Sequence, residues 1–107
     1  MSKLTVGEGV TALTRASATF ARLLEQPTFD VGLYKPANND EQGPHSRDEL
    51  YVIATGTGEF TCQGKAERFQ SGDAFFVPAG AEHRFSKFSL GFSTWVIFFG
   101  PRMGGDR

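Results

Sequence analysis

The second half of the chain is divided by glycine-containing turns into short segments in which apolar and polar side chains alternate. Glycine closes tight turns, whereas aromatic side chains favour half-buried strands. The chain carries 13 glycines and 11 phenylalanines. Many short strands separated by such turns predict an all-β fold, an antiparallel sandwich or barrel. The turns fall at residues 56–58, 63–64, 70–73 and 78–80.

The strands follow from the segments that these turns separate. An earlier strand begins after Pro27, where Phe29, Val31 and Leu33 alternate with polar or small neighbours, and it ends at Pro36. We predict the remaining strands at residues 48–55, 58–62, 65–69, 74–77, 83–86 and 92–99.

The N-terminal part of the chain has a weaker pattern. Residues 16–26 place Phe20, Leu23 and Leu24 on one side of a short helix, which Pro27 would end. We therefore expect an N-terminal arm or short helix at residues 1–27, a barrel at residues 28–100 and a disordered tail at residues 101–107.

Length and charge limit the function classes. A chain of 107 residues supplies one core and no separate catalytic or DNA-binding domain. The formal net charge of −1 with interspersed signs indicates neither a nucleic-acid partner nor an anionic membrane surface, and no apolar run is long enough to span a bilayer. The single Cys62 excludes an intramolecular disulfide, and no secretion signal is visible at the N-terminus. We expect a cytoplasmic protein with a small-molecule partner.

The two histidines of the chain, His45 and His83, both lie beside turn residues. If extension begins near Gly43, then His45 and Glu49 share one face of a strand, because successive side chains alternate. Imidazole nitrogens and a carboxylate together bind transition metals. These three side chains are the first candidates for a functional site.

The spacing of these residues resembles that of the cupin superfamily, and of its short single-domain members in particular. The first cupin motif ends in a histidine, three or four residues, a glutamate, six residues and a glycine, as in His45, Glu49 and Gly56. The second motif runs glycine, five residues, proline, one residue, glycine, two residues and histidine. This chain matches it with Gly72, Pro78, Gly80 and His83. The resemblance covers about residues 29–99.

The resemblance implies a double-stranded β-helix, the jelly-roll barrel of six to eight strands, with a divalent metal ion inside it. It implies that His45, Glu49 and His83 are the metal ligands. Two imidazoles and one carboxylate form the facial set that suits iron and leaves coordination positions open. Manganese, nickel and zinc remain alternatives.

Gly43 departs from the cupin pattern, because the family usually has another histidine at this position, two residues before His45. The vacant position would hold water or substrate, or would be filled by Gln42 as a fourth ligand. A weakened or lost metal site is the third alternative.

Three further side chains are candidates for lining a pocket. Arg47 would hold an anionic substrate at the mouth of the site, or would be solvated. Tyr51 and Trp95 would line the pocket, or would supply core packing as buried aromatic residues usually do.

The last predicted strand and the one at residues 48–55 are apolar on both faces, whereas a small barrel has only one interior. We therefore predict a homodimer whose subunits pack outward-facing side chains against each other. The alternative is that the N-terminal segment covers them within one chain. The predicted outward residues are Leu50, Val52, Val96 and Phe98.

These observations favour a metal-binding barrel that accepts a small organic molecule, as a metal-dependent oxygenase or isomerase. The alternative is a non-catalytic module that binds or senses a carbohydrate-like ligand. A barrel with a decayed site and a purely structural role is a third hypothesis. Because one barrel serves many chemistries, the fold does not choose between them.

Overall fold

A computed structural model describes residues 1–40 and 43–101 of the chain. Two antiparallel sheets face each other as a jelly-roll barrel, one with the strand order β1-β2-β8-β3-β6 and one with the order β5-β4-β7. Among the described residues, no helix is long and apolar enough to cross a membrane. The elements are α1 (Val6–Ala16), β1 (Phe20–Glu25), β2 (Phe29–Tyr34), β3 (Glu49–Thr55), β4 (Gly58–Cys62), β5 (Lys65–Phe69), β6 (Ala74–Val77), β7 (His83–Ser86) and β8 (Ser93–Phe99).

The sequence prediction is confirmed for the all-β fold, and β4 to β7 have the predicted bounds. The predicted position of the N-terminal helix is wrong. Helix α1 begins one residue after Thr5, whose side chain accepts a hydrogen bond from the backbone N–H of Glu8, and Ser17 ends it in the left-handed conformation. The Thr5 to Glu8 spacing is that of a capping box, a start signal that the apolar pattern at residues 16–26 obscured.

Strand β1 occupies most of the segment predicted to be helical. Phe20 lies opposite Tyr34 and Glu25 opposite Asp30, so β1 is hydrogen-bonded to β2 at the edge of the larger sheet. Tertiary pairing has overridden the local helical pattern here, because β2 supplies backbone hydrogen-bond partners along one side of β1.

The interior of the barrel is filled by aromatic rings from both sheets. Phe60 and Phe85 pack at a tilt with ring centroids 4.6 Å apart, and Tyr51 meets Phe85 edge to face at 4.9 Å. This geometry is favourable for aromatic pairs and adds to the burial of apolar surface. The buried cluster comprises Tyr34, Tyr51, Ile53, Phe60, Phe69, Val77, Ala81, Phe85, Phe92, Val96 and Phe98.

The predicted outward orientation of Val96 and Phe98 is wrong. Both side chains are fully buried members of the interior cluster. Strand β8 lies between β2 and β3, and Phe98 is opposite Asp30 on one side and Glu49 on the other. Because facing residues of neighbouring strands point to the same side of a sheet, Phe98 shares the inner face with Glu49.

The apolar side chains that alternate along strand β2 point away from the barrel interior. Leu33 is fully buried and lies against α1, where a Cβ built on Gly9 would meet its side chain at 2.6 Å. The inner face of β2 instead carries Asp30 and Gly32. A Cβ on Gly32 would lie 2.6 Å from the Phe20 ring, so glycine is required for this close packing.

The outer face of the larger sheet is apolar beyond the area that α1 covers. Leu50 lies opposite both Ile97 and Phe76, and Val52 lies opposite Trp95, so these side chains form one face. Phe76 is 59% exposed. Leu50 and Val52 therefore have the predicted outward orientation, with Trp95 and Ile97 as neighbours in place of Val96 and Phe98.

Candidate metal site

Two strands and one loop bring the predicted ligand residues together inside the barrel. Glu49 is the first residue of β3, and His83 is the first residue of β7 in the opposite sheet. His45 lies in the loop before β3. The side chains of Glu49 and His83 are buried, and that of His45 is 8% exposed.

The ligand atoms of the three side chains all lie within 4.8 Å of one another. Oε1 of Glu49 is 3.7 Å from Nε2 of His45 and 3.6 Å from Nε2 of His83. An ion about 2.1 Å from each of two ligand atoms holds them about 3.0 to 4.2 Å apart, depending on the angle at the ion. Both separations lie in this range, so Glu49 and each of the two histidines are spaced as two ligands of one divalent transition metal ion would be.

Backbone contacts orient the imidazole of His83. Its Nδ1 lies 2.9 Å from the carbonyl oxygen of Ala81, which can only accept a hydrogen bond. In the neutral ring Nδ1 therefore carries the proton, and Nε2 keeps the lone pair that a metal ion would bind. Such a bond from the second ring nitrogen is typical of histidines that bind metals.

The loop that carries His45 is tied to the turn that delivers His83. The His45 carbonyl accepts a hydrogen bond of 2.7 Å from the backbone N–H of Gly80. Oδ1 of Asp48 accepts another, of 2.8 Å, from the N–H of Ala79. These bonds set the two histidines at a common end of the barrel, and Asp48 has a structural role there.

Arg47 lies in a buried cluster of charged side chains rather than in solvent. Its Nη1 is 3.0 Å from Oδ2 of Asp30, and Nε of Arg22 is 3.2 Å from the same oxygen. The Arg47 guanidinium also lies over the Phe98 ring, 4.6 Å from its centroid. His45 contacts the same ring edge to face, at 5.6 Å. One aromatic ring thus separates the charged cluster from the candidate metal ligands.

Sequence reasoning missed Asp30 and Arg22. The available signal was Asp30 itself, which lies between Phe29 and Val31 in an alternating strand. Because Asp30 is 1% exposed, its charge needs a cationic partner in the interior. The sequence does not identify that partner, since Arg47 is 17 residues away.

The other predicted pocket residues differ in their positions. Tyr51 lies inside, with its hydroxyl 3.0 Å from Nε2 of His83. Trp95 lies on the outer face opposite Val52 and Leu33, away from the three ligand residues. Gln42 lies outside the described residues. Gly43 is exposed, and a Cβ built there meets no atom within 4 Å.

A cavity of about 510 Å³ lies beside the strand that carries His83. Its wall includes Pro44, Thr61, Arg84 and Ser86. Cys62 lies opposite His83 in the register of β4 and β7, but it is not part of the three-residue cluster. Burial raises the pKa of the Cys62 thiol, which disfavours the thiolate.

Comparisons with known proteins show what this chain is similar to in sequence and in fold. An uncharacterised protein of Streptomyces coelicolor is 30% identical over 84 residues, which cover 77% of this chain and 80% of that protein. The structure of KdgF from a Halomonas species superposes with a TM-score of 0.65 at 20% identity, covering 79% of each chain. A candidate mannose-6-phosphate isomerase from Ralstonia eutropha gives a TM-score of 0.64 at 22% identity, covering 76% of this chain and 82% of that one.

The structural neighbours share the fold, and the family model covers the sequence itself. The model of the Cupin_2 cupin domain matches residues 32–89, more than half of the chain. This range contains the predicted metal ligands and both sequence motifs. The chain therefore belongs to the Cupin_2 family of cupin domains.

Proposed function

We propose that this protein binds a divalent transition metal ion through His45, Glu49 and His83 and uses it to hold a small organic molecule. The observation that carries the proposal is the convergence of the three ligand atoms to within 4.8 Å of one another. His83 comes from a part of the chain distant from His45 and Glu49, and the three side chains meet in a buried site. A solvated carboxylate and surface histidines are not expected to converge in a buried site.

The residues around the ion have separate roles in this proposal. Glu49 supplies the negative charge that offsets the ion, and the Ala81 carbonyl orients the lone pair of His83. A bound ion supplies Lewis-acid polarisation of the small molecule at coordination positions that the protein leaves open. The candidate ions are iron, manganese, nickel and zinc, each compatible with two imidazoles and one carboxylate.

The small molecule approaches from the side of His45 in this proposal. His45 is the most exposed of the three ligands, whereas aromatic rings pack the interior around Phe60 and Phe85. Gly43 lies on the exposed side, where it leaves room that a larger side chain would occupy. Together these features favour a ligand that reaches the ion through the mouth of the barrel.

Metal analysis of protein purified without added metal tests the proposal. The wild type is expected to hold about one ion per chain, and a His45→Ala/His83→Ala variant none. Glu49→Gln is expected to bind at least tenfold more weakly, because a carboxylate ligand is lost. Glu59→Gln, a change of the same kind at a partly exposed strand position, serves as the matched control. Absence of stoichiometric metal from the wild type would contradict the proposal.

Turnover distinguishes an enzyme from a binding module. We propose an oxygenase or isomerase as the leading reaction class, and a non-catalytic carbohydrate-like binder or sensor as the alternative. The structural neighbours are below 25% identical and support only the fold. Oxygen consumption or product formation by the metal-loaded protein across a substrate panel supports an enzyme. Saturable binding without conversion supports the sensor.

We also propose that the protein is a homodimer. The outer face of the larger sheet carries the apolar side chains of Leu50, Val52, Trp95 and Ile97, with Phe76 at its edge. These side chains are half-buried in the single chain and Phe76 is exposed, and a contiguous apolar surface of this kind favours association. A twofold axis would bury the same face of both subunits.

A further inference from the structure

The hydroxyl of Tyr51 lies 3.0 Å from Nε2 of His83, within hydrogen-bond distance. Because Nδ1 of His83 carries the ring proton towards Ala81, Nε2 is an acceptor and the Tyr51 hydroxyl donates to it. Tyr51 is fully buried, as is the His83 side chain. The bond therefore occupies the same lone pair that a metal ion would need.

Packing keeps the Tyr51 ring beside the site when that lone pair is taken. The ring meets Phe85 edge to face at 4.9 Å and lies 5.7 Å from Phe60. Tyr51 also lies two residues after Glu49 on the inner face of β3. The same stretch of backbone therefore positions both the Glu49 carboxylate and the Tyr51 phenol. An ion on that lone pair, about 2.1 Å from Nε2, displaces the phenol oxygen from its position 3.0 Å from Nε2, and the O–H bond is then free to rotate about the C–O axis to a new acceptor.

We propose that the Tyr51 hydroxyl changes partner on metal loading, from Nε2 of His83 to an oxygen atom of the small molecule held at the ion. This inference rests on the proposed function, since it requires an ion at His83. In the ion-free protein the hydroxyl holds the His83 lone pair. In the loaded protein it would be a buried donor beside the ion, available to an oxygen atom of the small molecule.

The proposal defines the chemical class of the ligand. A carboxylate, carbonyl or enolate oxygen beside the ion-binding atom accepts the Tyr51 hydrogen bond. A ligand without such an oxygen offers the hydroxyl no acceptor, and buried sites discriminate strongly against ligands that leave a polar group unsatisfied. The site thus selects small molecules that carry an oxygen acceptor, and charged oxygens above neutral ones.

Metal affinity of a Tyr51→Phe variant tests the first half of the proposal. Zinc is titrated into metal-free protein in competition with a chelating dye. Removing the competing hydrogen bond is expected to tighten zinc binding about two- to tenfold. Tyr34→Phe is the matched control, since it removes a second buried phenol, one that donates to Asp40, and it should leave the zinc affinity unchanged.

A gain in affinity separates this role from a structural one, because damage to the core would weaken metal binding. Equal or weaker zinc binding by Tyr51→Phe would overturn the proposal. Zinc binding by neither the wild type nor the variant would overturn the proposed function along with it, and the two failures are thus distinguishable.

Acetate binding to the cobalt-loaded protein tests the second half. The visible absorption of bound cobalt reports the arrival of a new ligand. Tyr51→Phe is expected to bind acetate about tenfold more weakly than the wild type, because the charge-assisted hydrogen bond is lost. Equal acetate affinity in the two proteins would overturn the proposed change of partner.

Discussion

Nη1 of Arg47 lies 3.0 Å from Oδ2 of Asp30 and ties the loop that carries His45 to strand β2. Both side chains are at most 3% exposed. Nε of Arg22 reaches the same oxygen at 3.2 Å, so one carboxylate serves two guanidinium groups. Arg47 also donates to the Gly100 carbonyl at 3.4 Å. Asp30 therefore stabilises the mouth of the barrel although it is not a candidate ligand.

We expect Asp30→Asn to destabilise the protein by about 3 kcal/mol, because it leaves a buried guanidinium without its counter-charge. Urea unfolding followed by circular dichroism measures the change. Glu67→Gln is the matched control, since it breaks an exposed pair with Lys65 and should leave the midpoint within error. Equal midpoints for Asp30→Asn and the control would contradict the role assigned to Asp30.

Asp40→Asn tests a second buried carboxylate, which joins β2 to β7. Its Oδ1 accepts from the Tyr34 hydroxyl at 2.6 Å, and its Oδ2 accepts from the backbone N–H of Phe85 at 2.8 Å. In Asn the side-chain NH2 group replaces one of the two acceptor oxygens and faces a hydrogen-bond donor. We therefore expect the free energy of unfolding to fall by about 1–3 kcal/mol. Hydrogen exchange of the Phe85 amide should accelerate as well.

The exposed Asn39→Ala is the control for Asp40. It should change neither the unfolding free energy nor the Phe85 exchange rate. Unchanged exchange in Asp40→Asn would show that the carboxylate does not hold this edge of β7.

The raised pKa of Cys62 predicts slow alkylation at neutral pH. Burial disfavours the thiolate, which is the reactive form, so the folded protein should react with iodoacetamide more slowly than free cysteine. The rate should rise with pH through a pKa above that of an exposed thiol. Protein unfolded in urea should react like free cysteine, and a folded rate as fast as the unfolded one at neutral pH would refute the prediction.

Introducing charged side chains on the outer face of the larger sheet tests the proposed homodimer. We expect the wild type to be dimeric at micromolar concentration by light scattering, and Val52→Glu/Ile97→Glu to be monomeric. Both side chains are on the outer face, and a buried carboxylate pair across the interface is strongly unfavourable. Leu90→Glu, at a fully exposed turn position, should remain dimeric. A monomeric wild type would contradict the proposal.

Local signals were sufficient where strand ends are marked by turns. Strands β4 to β7 have the predicted bounds because Gly56, Gly64, Gly72 and Gly80 adopt positive φ angles, which glycine tolerates best. The predicted set of His45, Glu49 and His83 came from motif spacing, and the structure brings the three side chains together. Their role as metal ligands stays a prediction that the metal analysis addresses.

Predictions from local sequence failed where pairing with another part of the chain decided the secondary structure or the orientation of a segment. Residues 20–25 carry a helical apolar pattern, yet pairing with β2 makes them a strand. The faces of β8 were assigned the wrong way round for Val96 and Phe98, because alternation shows that a strand has two faces but not which one is inside.

The amino-acid sequence alone was sufficient to predict the cupin barrel, the turn positions and the identity of the candidate ligands, because each turn and each of the two motifs is formed by residues close together in the chain. Only the tertiary structure decided that Asp30 binds Arg47, that Tyr51 holds His83, and that Trp95 faces outward. The physical reason is that each of these contacts joins separate strands or loops. Their geometry exists only after the two sheets have paired and closed around the aromatic core.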